Sequence, residues 1–416
     1  MQPDGEFSLP SAAAPHDADG GASGNWAPGG QSARARAGIA DQVLTNARIV
    51  TGSAVFIGTL HLRDGEIISV DSGRSYVRSA TDLHGDLLIP GLIDSHTDNL
   101  ERHLEPRPGV AWPSLAALVA HDRQMAAAGV TTVCDALCIG DRHRGQARRP
   151  EVLREAVRAR ADAEREGVLK AQHFLHLRCE VTTEGAAAAF AAVADEPAVR
   201  LVSLMDHTPG QRQWRDLDRW RLHDHAVAAD VDADEIRLRR LRFPPERAAA
   251  ARREIAALAR DRALVLASHD DTTDAHVAQA AAEGVSICEF PTTPEAARAA
   301  RARGLRVVMG SPNVVLGGSH AGNVSARALA LAGLLDALAS DYVPISLIEA
   351  CFVLHHGLGL PLPAAVAMAT ARPAAMLGLS DRGEIASSRR ADLVRIRLHR
   401  EMPVVSAVWR AGRRVA

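Results

Sequence analysis

The chain has 416 residues, 47% hydrophobic and 24% charged, a balance that excludes a wholly disordered protein and leaves length for one large α/β barrel with additions. Its 48 basic and 50 acidic residues give a formal net charge of -2, which argues against a general nucleic-acid or membrane-surface binder. No apolar run approaches ~18 residues and no secretory leader pattern opens the chain, so a cytoplasmic location is expected.

Residues 1–40 are rich in Gly, Ala, Ser and Pro without periodicity and read as a disordered tail. Such a segment buries little, so a chain lacking residues 1–38 is expected to keep its solubility and turnover. Loss of either in the truncated protein would show that the tail packs against the rest. From Asp41, the runs VLTNARIV, AVFIGTLHLRDG and EIISV read as short strands, with Asp64-Gly65 as a hairpin turn. LLIPGLIDS follows as a buried run and ends in the charged stretch HTDNLERHLEPRPGVAWP. The helical LAALVAHDRQMAAAG closes at Gly before VTTVCDAL, and TPEAARAARARG leads into LRVVMGS in the same way. With QHFLHLRCE, VRLVSLMDH, ALVLASHD, VSICEF and ALASDY these make eight buried runs over about 250 residues, the size of a (β/α)8 barrel. ADLVRIRL and AVWRAGRRVA end the chain as two further strands split by a Gly turn, so both chain ends can feed one sheet. The division expected is a tail at 1–40, a small β domain from 41–88 and 385–416, and a barrel at 89–384. Five cysteines form no CxxC pair and read as small buried hydrophobes, and Lys170 is the only lysine.

In a barrel of this kind the active site lies at the C-terminal ends of the strands. His96 and Asp98 end the first run, and Glu180, His207, His269 and Asp341 end four others. Three imidazoles and three carboxylates form a donor set for a divalent cation, zinc first and manganese or iron as alternatives, with ligands enough for two ions. His96 and Asp98 stand two residues apart, which puts both on one face of an extended strand. If these positions converge, no two of His96, His207 and His269 lie more than ~12 Å apart.

PGLIDSHTDN, the Glu180, His207, His269 and Asp341 series, and the terminal GEIASSRRADLVRI resemble the amidohydrolase superfamily. HTDNLERHLEPRPGVAWP, MDHTPGQRQW, ASHDDTT, EFPTTPEAARAA, GSPNVVLGGSHAGNVSA and SDYVP are similar, within it, to the diphosphatases of ribose 1-methylphosphonate 5-triphosphate in the carbon-phosphorus lyase pathway. The resemblance implies a TIM-like barrel with a small β-sandwich built from both chain ends, and hydrolysis at the α-phosphorus with release of diphosphate. It also implies metal ligands at His96, Asp98, Glu180, His207, His269 and Asp341, with Asp341 as catalytic proton acceptor. Asp98 replaces the imidazole of the commoner HxH pattern. Lys170 lies too far before its strand end to supply a carboxylated bridge, which leaves Glu180. The runs carry Glu180, His207 and His269 on strands three, four and five, whereas relatives usually take both histidines from strands five and six, so strand numbering stays open.

A substrate with several negative charges calls for arginines, because guanidinium groups bind phosphate oxygens bidentately. Arg102, Arg107 and Arg212 stand in the motif-rich loops, and Asn99, His103 and His320 are further substrate contacts to expect. The partner expected is a phosphorylated ribose and neither nucleic acid nor membrane, and a homo-oligomer is left open. Two alternatives are a cyclic amide or N-acyl hydrolase of the same superfamily and a barrel that serves only in assembly. The charge of HTDNLERHLEPRP exceeds what a small neutral amide requires, and an assembly protein would lack metal ligands.

Overall fold

The computed structural model describes residues 41–140, 146–218, 243–319 and 321–416. The tail at 1–40 and His320 lie outside the described residues.

Two sheets organise the chain. The first takes β1 (Gln42–Val50), β2 (Val55–Arg63), β3 (Glu66–Ser72), β4 (Thr81–Asp82) and β5 (Leu87–Pro90) from one end of the described chain. It takes β14 (Leu393–His399), β15 (Met402–Arg410) and β16 (Arg413–Arg414) from the other. Antiparallel pairing of β5 with β14 joins the two sets, and the strand order is β16-β15-β14-β5-β1-β2-β3 with β4 on β1. Its hairpins close as the sequence dictates. Asp64 and Gly65 take φ of 50° and 88°, and Ala411 and Gly412 take 46° and 71°, the left-handed pair that matches strand twist in a two-residue turn. Leu44, Ile49, Leu60, Leu62, Ile67, Leu88, Leu393 and Trp409 fill a core of this sheet's own.

The second sheet is the barrel: β6 (Leu92–Thr97), β7 (Val130–Ile139), β8 (Gln172–Glu180), β9 (Val199–Met205), β10 (Val265–His269), β11 (Ile287–Glu289), β12 (Arg306–Gly310) and β13 (Ala337–Ala339). All neighbours pair in parallel and in chain order. Each of the eight buried runs contains one barrel strand; Glu180 and His269 end the third and fifth, and His207 follows the fourth. One run needed dividing. LLIPGLIDS is two strands in two sheets, separated at Gly91, whose N–H donates to Asp392 O at 2.8 Å. A Cβ at Gly91 would lie 2.9 Å from Asp392 Cβ and run into Thr131, so the chain passes between the sheets where only glycine fits.

The barrel closes on backbone contacts of Asp341. Thr97 and Asp341 form a parallel bridge, the Asp98 N–H donates to Asp341 O at 2.7 Å, and the Asp341 N–H donates to His96 O at 3.0 Å. Inside, Ile93, Cys134, Phe174, Leu201, Ala267, Ile287, Val308 and Ala337 form an apolar layer, close to one residue per strand. Alternation by two brings the same inward face to His176, Ser203, His269, Glu289 and Gly310 one step nearer the C-terminal ends. The interior thus changes from hydrocarbon to polar groups within a single layer. All five cysteines are buried and free, as small hydrophobes would be. No helix among the described residues is long and apolar enough to cross a membrane.

Candidate active site

His96 reaches the mouth because β6 carries an irregularity. Asp94 pairs with Val133 and Thr97 with Asp135, so three steps on β6 face two on β7. The extra residue reverses the alternation that begins at Ile93 and turns His96 inward. His96 Nδ1 then lies 3.1 Å from Glu289 Oε1, and its Nε2 lies 3.5 Å from Asp98 Oδ1. Asp98 follows the strand and stands immediately before the helix α1 (Asn99–Leu104), its side chain making no bond to the helix N-terminus. Arg178 Nη1 donates to Asp98 Oδ1 at 2.5 Å.

The second group comes from β9 and β10. His207 Nδ1 lies 2.7 Å from Glu180 Oε2 and its Nε2 lies 3.8 Å from Asp270 Oδ2. His269 Nδ1 lies 2.6 Å from the same Asp270 oxygen. The ring centroids of His96 and His269 are 5.8 Å apart, and those of His207 and His269 are 5.7 Å apart. Two sets of donors therefore adjoin, His96 with Asp98 and Asp341, and His207 with His269 and Asp270; within each set the ligand atoms lie within 4.8 Å of one another. Glu289 forms a third with His96 and His269. His269 Nε2 is buried with no hydrogen-bond partner, and an orphaned imidazole nitrogen beside carboxylates is what a cation site requires. The residues present fit a divalent ion.

Backbone strain collects here. Asp270, Phe290 and Asp341 take φ of 56°, 52° and 57° just beyond β10, β11 and β13, a left-handed conformation that costs non-glycine residues about 1–2 kcal/mol each. Burial and the neighbouring Asp98 charge push the Asp341 carboxyl up to about 7. Burial opposes ionisation of Asp98, but Arg178 and His96 hold it below the usual carboxylate range. Two adjacent carboxylates are thus driven in opposite directions, which suits one to fixed charge and the other to proton exchange.

A cleft above these groups is bounded by Asp270, Phe290, Gly310, Asp341, Tyr342 and the Gly318–Ser319 segment of the LGGSHAGN loop. Asn323 donates to Gln213 O at 3.4 Å, and Trp214 packs on Ala321, so the QRQW segment is tied to that loop.

A model described as the amidohydrolase family matches residues 316–416. The α-D-ribose 1-methylphosphonate 5-triphosphate diphosphatase of Escherichia coli (strain K12) is 42% identical over 377 residues, 90% of this chain and 100% of that one. The chain belongs to this diphosphatase family. Among solved structures, N-isopropylammelide isopropylaminohydrolase from Burkholderia multivorans superposes with a TM-score of 0.62 at 14% identity, covering 90% of this chain and 97% of that one. An N-acetyl-D-glucosamine-6-phosphate deacetylase mutant from Mycobacterium smegmatis gives 0.60 at 19% identity, covering 91% and 100%. Identities this low establish the fold alone. Amidohydrolases are metal-dependent hydrolases, and this diphosphatase-family chain is one of them.

The substrate contacts expected from sequence divide in this diphosphatase-family site. Arg102 stands at the rim, its Nη1 donating to Tyr342 O at 2.9 Å beside Asp341. Arg107 is exposed in the loop that follows α1. Arg212 is buried, donating to Asp271 Oδ1 at 2.7 Å and to His269 O at 3.1 Å. It braces the strand end that carries His269, and its guanidinium is already paired with a carboxylate. Asn99 turns its amide to His121 Nδ1 and Gln124 Oε1, both at 2.9 Å, and His103 Nε2 also meets Gln124 at 2.9 Å. Neither is presented to the donor sets. Glu180 joins no set directly and meets them through His207, with Thr182 on its other oxygen. Four groups at the site went unread in the sequence: Asp270, Glu289, His176 and Arg178. Period-two alternation carries the signal for three of them, since His176 and Arg178 share a face with Glu180, and Glu289 shares one with Ile287.

A second polar cluster lies behind β7 and has a different character. His121 Nε2 meets Asp135 Oδ1 at 2.7 Å, His173 Nδ1 meets Asp135 Oδ2 at 2.8 Å, and His173 Nε2 meets Asp122 Oδ1 at 3.1 Å. Every one of these nitrogens has a partner, so the cluster is a satisfied network. Burial opposes protonation of His173, yet Asp135 and Asp122 carry it from 6.5 up to about 9. Its contribution to stability is therefore full below about 6.5 and lost as pH rises through about 9. Burial lowers His121, whose contribution runs the other way and is lost as pH falls below its ordinary range. Thermal unfolding of the wild type is expected to fall in midpoint across the alkaline window, and His173→Gln should flatten that limb. Equal slopes in both proteins would refute the assignment.

Proposed function

We propose that the chain hydrolyses α-D-ribose 1-methylphosphonate 5-triphosphate to the 5-phosphate and diphosphate, in phosphonate catabolism in the cytoplasm. The observation that carries this reading is the 42% identity spanning the whole length of the Escherichia coli enzyme of that activity. The donor sets at the barrel mouth support it, with His96, Asp98 and Asp341 for one ion and His207, His269 and Asp270 for a second, zinc being the first choice for this N/O set. When bound, divalent metal supplies Lewis-acid polarisation of phosphoryl oxygens and acidifies water.

The chain's own residues do the rest. Glu289 and Glu180 each accept from an imidazole Nδ1, which fixes the tautomer of His96 and His207 and directs both Nε2 atoms toward the mouth. Asp341 takes the proton from the attacking water as its oxygen bonds to the α-phosphorus. The bond between the α-phosphorus and the bridging oxygen breaks, and diphosphate leaves with the electron pair. Burial and the neighbouring Asp98 charge raise the proton affinity of Asp341, which suits it to accept that proton. Arg102, at the rim, is placed to meet the outer phosphates. Metal-loaded protein should release diphosphate from a ribose 5-triphosphate 1-phosphonate and leave cyclic amides unopened. Ring opening without diphosphate release would replace this reading with the amidase alternative.

A further inference from the structure

A further cavity of the barrel lies at the end opposite the active-site cleft. It encloses about 700 Å³ between the starts of β11, β12 and β13 and the helices around them. Ile287 opens β11 with Ser286 just before it, Arg306 opens β12, and Asp336 immediately precedes β13. Arg301 comes from the last turn of the helix Pro294–Ala302, and Arg372 from the helix Ala371–Met376.

Three guanidinium groups face this space with one carboxylate among them. Asp336 Oδ1 accepts from Arg301 at 2.5 Å and from Arg306 at 3.3 Å, while its Oδ2 accepts the Val307 N–H at 2.9 Å. Both oxygens are thus engaged. Arg372 donates to the carbonyls of Leu335 and Asp336 at 3.4 and 3.1 Å and has no carboxylate partner among the described residues. Three positive charges less one negative leave two uncompensated. Arg306 keeps 58% of its side chain exposed, so its fork remains available. Burial lowers the Arg372 guanidinium; Asp336 opposes that shift, and Arg301 and Arg306 add to it. Met368, Met376, Leu335 and Ile287 supply apolar wall beside the cationic end. A volume of this order takes a small organic ligand, and forked guanidinium groups select a phosphate over a carboxylate or halide by geometry and charge.

We propose that this cleft binds a phosphate-bearing small molecule of nucleotide size, its phosphate among Arg301, Arg306 and Arg372 and its less polar body against Met368 and Met376. The site is separate from the catalytic one: Arg306 and Gly310 are the two ends of the same strand, and only Gly310 borders the active-site cleft.

The test is calorimetric titration of the full-length, metal-loaded protein with orthophosphate, with AMP and with ribose 5-phosphate, repeated on Arg306→Glu and Asp341→Asn. The expected result is saturable binding that Arg306→Glu weakens by at least about tenfold and Asp341→Asn leaves unchanged. Arg306→Glu should keep wild-type turnover when no ligand is added, which shows that it folds. AMP tighter than orthophosphate would assign the apolar wall to a base, and equal affinities would assign the site to phosphate alone. Absence of saturable binding at millimolar ligand, or equal affinity in wild type and Arg306→Glu, would overturn the proposal.

Discussion

Asp341→Asn protein is expected to fold and retain metal, and to turn over about 10²–10⁴-fold more slowly than wild type. The substitution isolates the proton. Asp341 sits at φ 57°, a conformation that asparagine tolerates better than most side chains, and its backbone hydrogen bonds to His96 and Asp98 do not depend on the carboxylate. The remaining donors of the two sets stay in place. Metal content by elemental analysis and kcat for diphosphate release decide the matter together. Wild-type kcat in a metal-replete variant would remove Asp341 from proton transfer, and loss of metal would move its role to ligation.

Arg178→Met should be the most damaging change to stability near the mouth. Arg178 is buried on β8 and pairs with Asp98, so its removal leaves a carboxylate beside Asp341 with only the His96 imidazole, 3.5 Å away, to balance it. Breaking a buried pair from one side costs about 3–5 kcal/mol, an upper bound here because Asp98 keeps 24% of its side chain exposed. Denaturant unfolding of metal-free protein should show that loss. The double variant Arg178→Met with Asp98→Asn should recover most of it, because no charge is then stranded. A double variant as unstable as the sum of the two singles would mean that the pair does not interact as the 2.5 Å contact implies.

The eight strands were legible because each is a short apolar run bounded by Gly or charge, most of them rich in Val and Ile, and a parallel barrel strand, buried on both faces, has to be written that way. The one misreading, LLIPGLIDS, arose because Leu87–Pro90 and Leu92–Thr97 are both fully buried, and nothing in hydropathy distinguishes a strand that changes sheets from one that continues. Only Gly91 marks the change. Strand-end residues His96, His207, His269 and Asp341 stood out because polar side chains interrupt apolar text there. Glu289 and Arg178 did not, since each is followed or flanked by Phe290 or Cys179 and reads as an ordinary member of its run. The destination of Arg212, Asn99 and His103 was not legible at all. Each sits in a loop or helix whose contacts, Asp271, His121 and Gln124, are set by tertiary packing.

The residue assigned to proton transfer is also the one whose backbone bridges β6 and the segment after β13. A nascent or half-folded chain in which the final strand has not docked holds its histidines without its base beside them. Competence therefore requires the closed barrel, a form of quality control in which a molecule that has not closed is silent rather than indiscriminate toward other triphosphates.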